Sequence, residues 1–187
     1  MYLEPSVTQA VKILIVGHFG VGKTTCIGSL SEIKPLRTEE QITMASVGLD
    51  DLTNTPNKTT TTVAMDFGRL TLSDSLVLYL FGTPGQERFT EMWEDLSRGA
   101  LGALVLVDPE RLDESFAVLD LVESFGLTYT IGVNSFEGQA EYALDEVHEA
   151  LNLEARTPIV RCDVRDERSS AEALITLVQH LMTQLAA

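Results

Sequence analysis

The sequence predicts an α/β fold with a mostly parallel central sheet, helices on both faces and one antiparallel edge strand. Five apolar, strand-like runs alternate with helical or loop segments, at 11–16, 76–81, 101–107, 127–133 and 158–162. This alternation is typical of parallel sheets covered by helices. Several of the runs are apolar throughout, as expected for strands that are buried on both faces. Residues 62–72 alternate instead, and Ser73-Asp74-Ser75 follows, which indicates a hairpin and hence the antiparallel strand.

Besides the helix expected directly after the first strand, three helices are predicted further along the chain. The last has a stripe of apolar side chains at helical spacing, formed by Ala171, Leu174, Val178, Leu181 and Leu185. Ser169 and Glu172 match a capping box at its start. The other two helices are expected near 110–125, ending before Gly126, and near 139–151.

The composition indicates one domain with a sizeable core. A chain of 187 residues with 44% hydrophobic residues suits a single domain over 1–187. The formal charge of −15 argues against unassisted binding of nucleic acid or anionic lipid. The same acidity makes a bound cation nearly obligatory if the ligand is a polyphosphate. Cys26 and Cys162 have no metal-ligand spacing, so we expect reduced, buried thiols.

The sequence shows no recognisable targeting or anchoring signal. Its start lacks a basic region followed by a long apolar core, and Tyr2 excludes N-myristoylation. The longest apolar run, 99–107, is too short to span a bilayer. We therefore expect a cytoplasmic protein without its own anchor, which reaches a membrane only through a partner.

A glycine-rich segment follows the first predicted strand and carries the strongest functional signal. The pattern Gly17-x-x-x-x-Gly22-Lys23-Thr24 lies between an apolar strand and a predicted helix. Glycine lets the main chain approach a ligand closely, and successive N–H groups at a helix start bind anions. In such phosphate-binding loops the lysine reaches the β- and γ-phosphates, and the hydroxyl binds Mg²⁺. The alternative is a structural glycine-rich turn with a surface lysine.

Two further segments accompany this loop. Residues 31–61 have few apolar positions and no sustained period. Loops of this length in compact domains are usually functional, although an exposed insertion is the alternative. Downstream of the third strand comes the segment Gly82-Thr83-Pro84-Gly85-Gln86. Phosphoryl-transfer switches use such a glutamine to orient water beside the γ-phosphate.

Taken together, these motifs resemble the Ras-like small GTPases from about Val11 to Leu185. The segment 82–89, "GTPGQERF", is similar to the switch II of that family, and 62–70, "TVAMDFGRL", to the Rab form of switch I. Within that group the sequence resembles the actinobacterial conservon-type (CvnD) small GTPases, and more distantly MglA and Rab proteins. The resemblance implies a P-loop NTPase fold in a Ras-like three-layer sandwich, GTP/GDP and Mg²⁺ as cofactors, and protein partners that include a roadblock-type regulator.

The resemblance also assigns roles to individual residues. Lys23 holds the β- and γ-phosphates and contributes to catalysis, and Thr24 binds Mg²⁺. Thr62 is the second metal-binding hydroxyl, although the run Thr59–Thr62 leaves its register open. Gly85 donates its N–H to the γ-phosphate, and Gln86 orients the attacking water. The remaining expected phosphate contacts come from the loop residues Gly17, Phe19, Gly20, Val21, Gly22 and Thr25.

The base-recognition end departs from the family pattern. Asn134-Ser135-Phe136-Glu137 stands where the family has Asn-Lys-x-Asp. Asn134 and Glu137 are the expected base contacts, because a carboxylate accepts from both donors of guanine, whereas adenine cannot satisfy it in that way. A solvated loop carboxylate is the alternative for Glu137. Asp163, Val164 and Arg165 resemble the last base-binding turn, with the Val164 N–H directed at the guanine oxygen and Arg165 over the ring.

Two other departures concern the phosphate end. Gly82 replaces the aspartate that opens switch II and supports Mg²⁺, so the ion is expected to be held more weakly or through another group. Phe19 stands where efficient family members have glycine, and its bulk obstructs an arginine finger supplied by a partner.

Two functional hypotheses follow from this pattern. The favoured one is a slow, partner-regulated GTPase that acts as a nucleotide-dependent switch in bacterial signalling. The alternative is an interaction module that binds nucleotide but scarcely hydrolyses it. An ATP-binding version of either is a third option.

Overall fold

The computed structural model describes residues 9–42, 61–83 and 90–185. Its strands are β1 (Gln9–Val16), β2 (Leu36–Ile42), β3 (Thr61–Ser73), β4 (Leu76–Gly82), β5 (Ala100–Val107), β6 (Tyr129–Asn134) and β7 (Ile159–Cys162). Its helices are α1 (Lys23–Leu30), α2 (Thr90–Ser97), α3 (Phe116–Ser124, after a 3₁₀ turn at Leu112–Ser115), α4 (Leu144–Ala150) and α5 (Glu167–Leu185).

The seven described strands form one sheet in the order β2-β3-β4-β1-β5-β6-β7. From β4 to β7 every neighbouring pair is parallel, whereas β3 runs antiparallel to both β2 and β4. The parallel strands therefore place their carboxyl ends at one edge of the sheet, which is where α/β proteins bind ligands. The predicted α/β fold class with a single antiparallel strand is confirmed.

The antiparallel strand lies one place further in than the sequence predicted. Residues 36–42, from the segment expected to be a loop over 31–61, pair with 61–67 and form the outermost strand of this edge. Little in the composition of Leu36–Ile42 indicates a strand, because five of its seven residues are polar or charged. Pairing with the long β3 decides the conformation, as is usual for edge strands.

Two hydrophobic clusters cover the two faces of the sheet. Alternate side chains of β1 point to opposite faces: Ile13 and Ile15 pack with α1 and α5, while Leu14 and Val16 pack with α2, α3 and α4. All four are fully buried, which explains why this strand is apolar throughout. The result is the three-layer arrangement expected from the sequence.

The two cysteines lie inside the first cluster, as predicted. Cys26 and Cys162 are buried free thiols. Burial raises the pKa of each to about 12, because a thiolate would have to lose its hydration. Both therefore remain protonated and contribute to the protein as small apolar side chains.

The start of α5 differs from the prediction. The helix begins at Glu167, and the carboxylate of Asp166 accepts a hydrogen bond from the Ser169 N–H at 2.7 Å. Asp166 is thus the capping residue, and the predicted capping box of Ser169 and Glu172 is wrong. The Ser169 hydroxyl instead accepts from the Asp163 N–H at 2.9 Å, and Arg168 pairs with Glu172 one turn along. From sequence alone, a glutamate at position 172 is compatible both with a capping box to Ser169 and with an ion pair to Arg168.

We expect Leu104→Ala to lower the free energy of unfolding by about 2–5 kcal/mol, because it leaves a cavity in the fully buried first cluster. Leu101→Ala on the same strand is the matched control, since that side chain is 39% exposed and its truncation costs about 1 kcal/mol or less. Chemical denaturation measures both. Equal losses for the two variants would contradict the described packing of β5.

Candidate functional site

The loop between β1 and α1 has a backbone conformation that favours glycine at three positions. Gly17, Gly20 and Gly22 have φ angles of 145°, 82° and 107°, which residues other than glycine rarely adopt. A Cβ on Gly17 would lie 2.5 Å from the carbonyl oxygen of Leu106, so the loop packs directly on β5. A Cβ on Gly22 would lie 2.8 Å from the Val164 side chain. The glycine spacing therefore reflects close packing as well as room for a ligand.

Lys23 is the first residue of α1, and its ammonium group folds back over this loop. Nζ donates to the carbonyl oxygens of Gly17 and His18, both at 2.8 Å. Burial lowers the pKa of Lys23 to about 8, and the nearby carboxylate of Asp66 partly opposes this shift. A cation thus lies at the mouth of the loop, beside the amide groups at the start of the helix, as a phosphate site requires.

Thr24 follows directly and contacts a carboxylate that the sequence analysis did not assign to the site. Its hydroxyl donates to Oδ2 of Asp66, which lies on β3 and is 7% exposed. Thr24 itself is exposed. A hydroxyl beside a carboxylate is a pair of hard oxygen donors, the type that Mg²⁺ prefers alongside phosphate oxygens.

Such a pair fits magnesium held jointly with a nucleotide rather than by the protein alone. Among the described residues, no group of three or more His, Cys, Asp or Glu side chains is placed to hold a metal. Mg²⁺ is usually bound through one or two carboxylates together with substrate phosphates and several waters. The residues present therefore suit magnesium that arrives with a polyphosphate.

Asn134 joins the phosphate loop to the loop after β7. The side chain is 2% exposed at the end of β6. Its Nδ2 donates to the carbonyl oxygen of Val21 at 3.0 Å, and its Oδ1 accepts from the Val164 N–H at 3.2 Å. The Val164 amide expected to face the base is thus bonded to Asn134 in this structure. Sequence analysis identified both residues but not the bond between them.

Glu137, Asp163 and Arg165 lie together at the expected base end of the site. Arg165 donates to both oxygens of Asp163, at 2.9 and 2.7 Å, and these hydrogen bonds lower the pKa of the Asp163 carboxyl. Nη1 of Arg165 lies 4.0 Å from Oε2 of Glu137, whose side chain is 94% exposed. The structure therefore brings an accessible carboxylate and a guanidinium to the same place.

The predicted phosphate contacts and their neighbour His18 differ in exposure to solvent. The side chain of Phe19 is 72% exposed, so a large aromatic ring projects from the phosphate loop. His18 beside it is 3% exposed; its Nδ1 lies 2.8 Å from the Phe19 carbonyl oxygen and 3.5 Å from Glu114. Thr25 is exposed, and Val21 is fully buried. Contacts with a ligand from Val21 can therefore come only from its backbone.

For three of the predicted site residues, the structure does not describe the group that would contact the ligand. Gly85 and Gln86 lie outside the described residues. The backbone of Thr62 pairs with Gln41 in the β2–β3 ladder, and its side chain is outside the described part of the chain. Their roles remain predictions.

A cavity of about 340 Å³ lies away from this site, at the amino ends of β6 and β7. It is lined by residues that include Tyr129, Arg156 and His180.

In the described chain no helix is long and apolar enough to cross a membrane.

The chain matches one protein family and one solved G-domain over most of its length. Residues 15–184 match the model of a family described as "Conserved hypothetical ATP binding protein". The uncharacterized protein MJ1339 of Methanocaldococcus jannaschii is 32% identical over 126 residues, 66% of this chain and 69% of the relative. The solved FeoB G-domain from Methanococcus jannaschii superimposes with a TM-score of 0.62 at 11% identity, covering 94% of this chain and 99% of that one. At that identity the likeness concerns the fold, which is that of a P-loop G-domain. The chain therefore belongs to the family of conserved hypothetical ATP-binding proteins.

Proposed function

We propose that this protein is a magnesium-dependent GTP-binding switch that hydrolyses GTP slowly. The observation that carries the proposal is the loop before α1, which contains three glycines with positive φ. Lys23, hydrogen-bonded to two carbonyl oxygens of this loop, and Thr24, hydrogen-bonded to Asp66, lie at the start of the helix. The family match and the G-domain fold support nucleotide binding.

At the phosphate end, Lys23 supplies a charge that is already positioned. Its ammonium group is held by two carbonyl oxygens and needs little reorganisation to contact a polyphosphate. Bound magnesium would add positive charge at the phosphate oxygens, held by the Thr24 hydroxyl and, in the proposed register, by Thr62. The acidic chain, with a formal charge of −15, makes this local positive charge essential for binding an anion.

At the base end, Glu137 and Arg165 favour guanine over adenine. The exposed Glu137 carboxylate can accept from the N1–H and the 2-amino group of guanine. We propose that Arg165, which is hydrogen-bonded to Asp163, lies over a face of the base. The family is described as ATP-binding, so competition between the two nucleotides decides this part of the proposal.

Hydrolysis is proposed from the segment that contains Gly85 and Gln86. By resemblance, the Gly85 N–H contacts the γ-phosphate and Gln86 orients water. Unaided sites of this type turn over at about 10⁻⁴ to 10⁻³ per second. We further propose relatedness to conservon-type GTPases and MglA, regulation by a roadblock-type partner, and a cytoplasmic location.

A second candidate function is nucleotide binding almost without hydrolysis. The exposed ring of Phe19 favours it, because it projects from the loop beside the phosphate position and obstructs a catalytic arginine supplied by a partner. Single-turnover hydrolysis separates this candidate from the first.

Wild-type protein should bind a fluorescently labelled GTP analogue in Mg²⁺ buffer. Lys23→Ala should no longer retain the nucleotide, because the positioned cation is removed. Lys34→Ala is the matched control, since that lysine is exposed and lies outside the site. Displacement titrations with unlabelled GTP and ATP measure selectivity. Wild-type affinity in Lys23→Ala would refute the phosphate site, and equal displacement by ATP and GTP would refute the role of Glu137.

Nucleotide affinity should decline as the pH rises above about 8. Below the pKa of about 8 Lys23 is charged in the free protein, whereas above it a proton must be taken up on binding. The expected loss approaches about tenfold per pH unit. Titrations between pH 7 and 9.5 measure it, and Lys23→Arg should show a flat profile because arginine stays charged. Parallel profiles for wild type and Lys23→Arg would assign the decline to another group.

Gln86→Leu should slow phosphate release from bound GTP by at least about tenfold while leaving the affinity for GTP within about twofold, because the glutamine acts on water rather than on the nucleotide. Single-turnover phosphate release under saturating protein measures the rate. Unchanged turnover would show that a different group orients the water.

A further inference from the structure

Gly82 leaves the proposed magnesium site without its expected carboxylate. P-loop NTPases hold Mg²⁺ with the loop Ser or Thr and an aspartate on a nearby strand. In the resemblance stated above, that aspartate falls at position 82, which is glycine here. The question is whether another carboxylate takes its place.

Asp66 lies directly across the sheet from this glycine. In the antiparallel β3–β4 ladder, Asp66 and Gly82 are register partners. A Cβ built on Gly82 would lie 3.2 Å from Cβ of Asp66 and 3.6 Å from its Oδ2. The Asp66 carboxylate therefore lies beside the position from which a side chain on residue 82 would emerge.

The same carboxylate reaches both residues expected to hold a magnesium nucleotide. It accepts a hydrogen bond from the Thr24 hydroxyl, whose oxygen keeps lone pairs available for a cation. It is also close enough to Lys23 to act on that ammonium group electrostatically. Asp66 is 7% exposed, and a carboxylate so deeply buried requires compensation by positive charge or hydrogen bonds.

We propose that Asp66 on β3 replaces the missing aspartate at position 82 and supports magnesium through Thr24. The inference rests on the proposed function, since it concerns the ion that accompanies the nucleotide. It makes Asp66 a positioning residue, acting on the cation through the Thr24 hydroxyl. The supporting carboxylate then lies on β3, at the register partner of residue 82 on β4.

Steric packing explains why residue 82 is glycine once Asp66 is present. Besides the Asp66 atoms, a Cβ on Gly82 would lie 2.9 Å from Cδ1 of Ile27. A side chain at 82 therefore competes with Asp66 and Ile27 for one space. Removing the Asp66 side chain opens part of that space, so the two positions should be exchangeable.

The test compares wild type, Asp66→Asn and the exchange variant Asp66→Gly/Gly82→Asp. For each, the affinity for the fluorescent GTP analogue is measured in EDTA and across a Mg²⁺ titration. Asp108→Asn is the matched control, because Asp108 is equally buried and instead accepts from the Glu110 N–H and from Gln139. Thermal unfolding of every variant establishes that it is folded.

Asp66→Asn should weaken the apparent Mg²⁺ affinity by about 10- to 100-fold while the affinity in EDTA stays within about threefold. Asp108→Asn should leave the Mg²⁺ titration unchanged, and the exchange variant should recover most of the loss. If Asp66→Asn is unfolded, recovery in a folded exchange variant supports the proposal, and loss of the Mg²⁺ response there refutes it.

Three results would overturn the inference, and they distinguish it from the proposed function. Equal weakening with and without Mg²⁺ in Asp66→Asn, or an unchanged Mg²⁺ titration, would make Asp66 a structural residue while leaving the proposed function intact. Failure of wild type to bind the nucleotide in Mg²⁺ would remove the proposed function and this inference together.

Discussion

The close approach of the phosphate loop to β5 is the constraint on which the rest of the site depends. Gly17 lies against the Leu106 backbone so tightly that even a methyl group would overlap the carbonyl oxygen. This contact, with the parallel pairing of β1 and β5, fixes where the loop leaves the sheet and where α1 begins. The two carbonyl oxygens that hold Lys23 belong to the same short segment. The position of the cation is therefore a consequence of sheet packing.

Binding of an anion by so acidic a chain requires charge to be arranged locally. Burial already weakens the proton affinity of Lys23, and the Asp66 carboxylate partly restores it. The same carboxylate accepts from Thr24, so one buried negative group is shared by a cation and a hydroxyl. Under the proposed function, a divalent cation would bring the positive charge that the chain as a whole lacks.

The two ends of the site are mechanically joined. Asn134 bonds to the carbonyl of Val21 in the phosphate loop and to the amide of Val164 after β7. Asp163 is held in turn by the Ser169 hydroxyl on α5. A change at the base end therefore has a path of hydrogen bonds to the phosphate loop, made of strand ends and buried side chains. Asn134 therefore has a structural role in addition to the base contact proposed for it.

The sequence by itself determined the layered α/β architecture, the position of the phosphate loop and most strand boundaries, because apolar periodicity and glycine spacing are local signals. The glycine spacing also predicted Lys23 and Thr24 as phosphate-site residues, whereas the resemblance to small GTPases predicted Asn134 and Glu137 as base contacts. It could not place β2 at the sheet edge, since Leu36–Ile42 becomes a strand only through pairing with β3.

Nor could it assign Asp66 to the site. That assignment depends on the register of β3 against β4, which brings residues 66 and 82 side by side. The cap of α5 was likewise decided in three dimensions, where Ser169 bonds to the Asp163 backbone and leaves the cap to Asp166. Contacts between residues distant in sequence are products of strand pairing and packing, so only the tertiary structure decided them.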